Sequence, residues 1–161
     1  MANAFYNVPQ IINEPILNYA PGSKEKAEVK LALKTLSGVE IDAPMFIGGK
    51  EVRTGELVRM SPPHDHKHTL GHFHRGNETH VKLAIDAALA AKEKWANTSW
   101  EHRASIFLKA ADLLAGPYRA KMNAATMLAQ SKNVFQAEID AVCEYADFLR
   151  FNVEFMTDIY K

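Results

Sequence analysis

The order of patterns along this chain constrains its fold more than any single motif. Short β-prone runs sit in the first half, and from Asn77 onward only helical periodicity is present. A complete α/β domain alternates the two, because its helices need a sheet to cover. A block of helices with so few strands ahead of it reads as part of a larger α/β fold. No internal repeat or low-complexity linker breaks the chain. Three regions are expected: 1–40, an extended arm plus a short helix; 41–76, hairpin strands; and 77–161, helices.

Each region has local signals. Met1 to Gly22 carry Pro9, Pro15 and Pro21 and no period, which predicts an extended arm. Ser23 to Leu36 predicts a helix that Ser23 can cap and Gly38 can end. Met45 to Met60 predicts strands. Gly48-Gly49 between Met45-Phe46-Ile47 and Lys50-Glu51-Val52 is a hairpin signal. Thr54-Gly55 marks a turn before Leu57-Val58, Pro62-Pro63 stops the run, and a further strand is expected around Thr69 to Phe73.

Four helices follow. In the first, Val81, Ala84, Ile85, Ala88, Ala91 and Trp95 share a face. Thr98 and Glu101 have the spacing of a capping box for the second. Its stripe is Ile106, Phe107, Ala110, Leu113 and Leu114, and Gly116-Pro117 ends it. The third spans about Arg119 to Gln130. The last and longest spans about Asn133 to Tyr160, with a stripe of Val134, Ala141, Val142, Tyr145, Phe148, Leu149, Phe155, Met156 and Ile159.

Composition acts mainly by exclusion. The 161 residues carry 19 basic and 19 acidic side chains, a formal net charge of zero. Such a chain has no electrostatic footprint for nucleic acid or an anionic membrane surface. The single cysteine, Cys143, rules out an internal disulfide and points to a reducing compartment. No apolar run approaches the roughly 20 residues that span a bilayer. The first arginine is Arg53, and nothing basic precedes an apolar stretch, so neither a transit nor a signal peptide is expected. A cytoplasmic protein is expected, or one of the mitochondrial matrix if eukaryotic.

Few residues stand out chemically. At 100° per residue Glu138 falls inside the apolar stripe of the long helix, and so does Asn152. A carboxylate on a buried face must be paired, protonated or turned to a cavity. It can therefore brace a neighbouring element or serve a site. His64, His66 and His68 would point one way in an extended segment, with His72 and His74 nearby. No Cys or Glu completes a ligand set, so no metal is expected. Cys143 falls opposite the apolar stripe with nothing basic within a turn, which reads as a bystander thiol. The glycines form neither a G-x-G-x-x-G nor a G-x-x-x-x-G-K pattern, so no cofactor-phosphate turn is expected.

Two stretches carry the reading further: NEPILNYAPGSKEKAEVKLALKTL, from Asn13, and RASIFLKAADLLAGPYRAKMNAATMLAQSKNVFQAEIDAVCEYADFLRFN, from Arg103. Both resemble the delta-1-pyrroline-5-carboxylate dehydrogenase branch of the aldehyde dehydrogenase superfamily. FIGGKEV followed by SPP, and the helix AIDAALAAKEKW, resemble the superfamily at large. The resemblance implies an α/β, aldehyde dehydrogenase-like fold of which this chain is the N-terminal part, within the NAD-binding domain. It implies an enzyme that oxidises L-glutamate γ-semialdehyde to glutamate with NAD in proline degradation. A cysteine thiolate would attack the aldehyde and a hydride would pass to the nicotinamide. The groups that do this, and the loop that holds the cofactor, belong to the family chain beyond Lys161. No catalytic residue is therefore expected here, and the chain alone should be inactive. Its partners would be the remainder of its own enzyme chain and an aldehyde substrate, in a homo-oligomer when complete. Glu138, in QAEID, matches an acidic position at the edge of the semialdehyde pocket and is the one substrate-binding candidate. Another aldehyde dehydrogenase subfamily and a non-catalytic helical interaction module are the alternatives.

Overall fold

A computed structural model describes residues 8–160. The first seven residues of the expected arm lie outside that range. The remainder of the arm runs without regular structure to a turn at 21–22 and into α1, Lys24–Ser37. Ser23 caps this helix by accepting from the Lys26 amide, and Gly38 closes it. Five short strands follow: β1 (Ile41–Ala43), β2 (Met45–Ile47), β3 (Lys50–Val52), β4 (Leu57–Met60) and β5 (Gly71–His74).

β2 and β3 form the expected antiparallel hairpin, with Ile47 opposite Lys50. Gly48 and Gly49 both have positive φ, 58° and 76°, as a two-residue turn of this hand requires. The other sheet has the order β1-β5-β4. β1 went unread in the sequence, because three residues without alternation give no period. It pairs in parallel with β5, and Gly71 makes that possible. A Cβ there would sit 2.0 Å from the Ile41 carbonyl oxygen. The expected strand at Thr69 to Phe73 is accordingly shifted to Gly71–His74. The segment of His64, His66 and His68 is a series of turns instead of an extended run, so those side chains do not alternate.

The helices are α2 (Glu78–Ala96), α3 (Trp100–Ala115), α4 (Arg119–Gln130), α5 (Val134–Ala137) and α6 (Glu144–Tyr160). Ser99, not Thr98, caps α3, by accepting from the His102 amide. Thr98 instead bonds back to the Lys94 carbonyl. The buried residues of α3 are Ala104, Ala111 and Leu114, while Ile106 and Phe107 of the expected stripe stay exposed. Small side chains win the buried face because they let α3 lie close against α6. Ala111 and Leu114 pack there with Val142 and Ala146. A second small core joins Tyr19, Val29 and Ala124, where α1 meets α4.

The long final helix is not uniform. Residues Glu138–Cys143 form a π-helical turn between α5 and α6. The Glu144 amide accordingly bonds the Ile139 carbonyl, five residues back. The wider turn rotates everything after it by about one residue, roughly 100°. Cys143 therefore lies under Glu138, 4% exposed, and not on the solvent side where even periodicity placed it. Phe148, Phe155 and Ile159 of the expected stripe are exposed, and so is Asn152. Val142, Ala146, Val153 and Thr157 are buried instead.

Candidate functional site

The π-turn begins at the most enclosed charged side chain among the described residues. Glu138 is 0% exposed. Its Oε1 accepts from the Leu17 amide at 2.9 Å and from Arg119 Nε at 3.1 Å and Nη2. Its Oε2 accepts from the Tyr19 hydroxyl and from Asn123 Nδ2, both at 2.7 Å. Asn123 Nδ2 also donates to the Tyr19 oxygen at 2.7 Å. An ionised carboxylate offers about four lone-pair sites, and all are engaged by this chain's own donors.

Arg119, on the first turn of α4, links this carboxylate to the arm. Its Nη1 meets Glu14 Oε1 at 2.6 Å, and its Nη2 donates to the Pro15 carbonyl at 2.7 Å. The other oxygen of Glu14 pairs with Arg150 Nη1 on α6, also at 2.6 Å. Asp147 accepts from Asn13 Nδ2 and from the Glu14 amide, both at 2.7 Å. Residues 13–19 thus cross the π-turn under charged hydrogen bonds from two helices. Tyr19 sits where the arm turns down into the core, with φ of +53°, a left-handed conformation that an aromatic residue rarely adopts.

The electrostatics follow from this geometry. Burial alone would raise the Glu138 carboxyl pKa. Hydrogen bonds from Arg119, Tyr19, the Leu17 amide and Asn123 outweigh burial and hold it below its ordinary 4.5. The Tyr19 hydroxyl is pushed up, by burial first and then by the neighbouring carboxylate. Arg119 is raised despite burial, because Glu138 and Glu14 both favour its charge. Cys143 lies 3.5 Å from Arg119 Nη2, yet burial and the Glu138 charge push its thiol up to about 11. It is the reverse of an activated nucleophile.

Glu138, the substrate-binding candidate, is therefore a closed ionic centre in this chain. Its partners Leu17, Tyr19, Arg119 and Asn123 were not singled out from the sequence, nor was Glu14, which is joined to it through Arg119. Glu14 and Tyr19 do lie within NEPILNY, so that stretch held a usable signal. Asn152 lines an open groove of about 670 Å³ beside the arm, together with Asn13, Ile16, Cys143, Asp147 and Phe151. The histidines are scattered: His64 bonds Ser131 Oγ at 2.7 Å, and His74 bridges Asp42 and Thr54 at 2.8 Å. Among the described residues no group of three or more His, Cys, Asp or Glu side chains could hold a metal. The helix starts at Ser23, Asn77, Ser99 and Asn133 are closed by their own capping side chains, the start of α4 at Tyr118 has no side-chain cap, and Gly48-Gly49 is used in the hairpin.

Strands leading into a helical block, with the hairpin at its head, define a class. The sequence pattern of the aldehyde dehydrogenase family matches residues 51–161, more than half of the chain, and the chain belongs to that family. A delta-1-pyrroline-5-carboxylate dehydrogenase of Agaricus bisporus is 48% identical over 158 residues, 98% of this chain and 29% of that protein. A mitochondrial protein of the same name from Dictyostelium discoideum is 43% identical over 155 residues, 96% of this chain and 28% of that protein. The solved delta-pyrroline-5-carboxylate dehydrogenase of Mycobacterium tuberculosis, bound with NAD and cobalamin, superposes with a TM-score of 0.96. It is 46% identical and covers 99% of this chain and 30% of its own. The chain spans just under a third of the length of these relatives.

Proposed function

We propose that this chain is the N-terminal part, within the NAD-binding domain, of an NAD-dependent dehydrogenase that oxidises L-glutamate γ-semialdehyde to glutamate in proline degradation. One observation carries the reading. The similarity to delta-1-pyrroline-5-carboxylate dehydrogenases runs through the arm, well ahead of the region shared with aldehyde dehydrogenases in general. NAD would accept the hydride in the complete enzyme. The residues that hold it, and the nucleophilic thiol, belong to the remainder of that enzyme. Cys143, buried and raised to about 11, is unsuited to attack an aldehyde.

This chain contributes framework. The exposed apolar side chains Leu89 on α2 and Phe148 and Phe155 on α6 support a part that expects further chain against it. They weigh against a self-contained interaction module. Glu138 enters the proposal as a residue at the edge of the semialdehyde pocket. Its saturated carboxylate favours bracing that edge over meeting the substrate's amino group. The complete protein is proposed to be a homo-oligomer. Its compartment is proposed to be the cytoplasm, or the mitochondrial matrix in a eukaryote, in keeping with the Dictyostelium relative. Among the described residues no helix is long and apolar enough to cross a membrane.

The test is to assay the protein from its complete reading frame beside residues 1–161 alone, with glutamate semialdehyde and NAD. NADH should form with the complete protein and stay at background with the 161 residues. A complete protein that oxidises other aldehydes and leaves this one untouched would move it to another subfamily. NADH from the 161 residues would return attention to Cys143, which Cys143→Ala would resolve.

A further inference from the structure

Residues 13–16 are attached to the protein in an unusual way. Ile16, their one large apolar side chain, faces outward at 52% exposure, as does Ile12 just ahead of them at 68%. What holds them is polar: Asp147 on Asn13 and the Glu14 amide, Arg119 and Arg150 on Glu14, and Arg119 on the Pro15 carbonyl. Directly after them the attachment changes character. Leu17 and Tyr19 pack into the core with Val29 and Ala124. The change coincides with the left-handed backbone of Tyr19. Beneath the polar section lies Cys143, its thiol against the Pro15 carbonyl at 3.8 Å. Beside it runs the 670 Å³ groove, with Asn13, Glu14 and Ile16 as one wall and Cys143, Asp147 and Phe151 as the other.

We infer that residues 13–16 are a strap that opens as a unit, with the core-packed Tyr19 as its fixed end and Glu14 as its latch, and that opening uncovers Cys143 and widens the groove. Local opening is favoured where a segment buries few apolar groups and is held by bonds to elements that stay folded without it. Both conditions hold here. Lifting the strap breaks no helix, and Glu138 keeps Arg119, Tyr19 and Asn123. Glu14 is the latch because its two oxygens engage guanidinium groups on two different helices. The inference does not depend on the proposed reaction, since it concerns access to a thiol in the folded chain.

Cys143 is the natural reporter. The intact protein and a Glu14→Ala variant are treated with iodoacetamide, and the Cys143 peptide is quantified by mass spectrometry over time. Removing two charged contacts should accelerate modification about ten- to hundredfold, with circular dichroism unchanged. Ile16→Ala, on the strap but outside the latch, should leave the rate as it is. An unchanged rate in Glu14→Ala overturns the inference, and so does acceleration accompanied by loss of helical signal. Hydrogen exchange on the unsubstituted protein tests the same point should the variant not fold. The Glu14 amide should exchange well before the Leu17 amide and the amides of α4 and α6. Exchange of all of them together, in global unfolding, overturns it.

Discussion

Helix α2 has every local mark of a stable element. It runs for 19 residues, with Asn77 and His80 in a reciprocal cap, Glu78 in the first turn and Lys94 in the last. None of its residues is buried. The strap at 13–16 has no regular structure and three prolines in its neighbourhood, yet charged hydrogen bonds tie it to α4 and α6. Regular backbone and tertiary anchoring are thus separate properties in this molecule. Helix hydrogen bonds are satisfied within the segment, so the regular backbone of α2 needs no bonds from other elements, although packing is what stabilises most helices. An irregular segment has no such internal economy of bonds and persists only where other elements supply them.

Substitutions should separate the two regions sharply. The largest effect is expected at Arg119. Arg119→Met leaves Glu138 buried without its counter-charge, which typically costs about 3–5 kcal/mol. Urea denaturation followed by circular dichroism measures it. A loss no greater than that of a surface substitution would mean that the carboxylate finds water or protonates at little cost.

Glu138→Gln should come next. It keeps the shape and removes the charge, with an expected loss of about 1.5–3 kcal/mol, the range for hydrogen bonds to a charged group. In the complete enzyme the preference between glutamate semialdehyde and an aldehyde without the amino group should stay unchanged. A preference that collapses would restore direct contact with the substrate. Acid sharpens the same comparison. The folded carboxyl lies below its ordinary 4.5, so the unfolded chain binds more protons in this range. The stabilisation is complete above about pH 4.5 and fades as pH falls through the folded value. The stability gap between the unsubstituted protein and Glu138→Gln should therefore close below pH 4.5.

The smallest effect belongs to α2. Leu89 is 63% exposed, and Leu89→Gln should change the stability of the 161-residue chain by no more than about 0.5 kcal/mol. A larger loss, seen in a thermal melt, would show that α2 is anchored in solution by more than its contact with β2.

Much of the fold was legible locally. The Gly48-Gly49 hairpin, the cap at Ser23 and the span of α4 follow from backbone chemistry that acts over a few residues. The inward position of Glu138 was legible too, because Val134 and Val142 flank it at helical spacing. Its partners were not. Leu17 and Tyr19 lie 121 and 119 residues away, and no local period encodes a pairing of that range. The exposed face of Cys143 was misjudged for another reason. Even spacing at 100° assumes an α-helix throughout, and the π-turn at Glu138–Cys143 shifts the count. The sequence by itself determined the kinds of elements, their order and the one charge that had to find partners inside. The tertiary structure alone decided which groups those partners are, because only packing brings the arm, α4 and the π-turn to one point, where a buried carboxylate is stable only with all its lone pairs engaged.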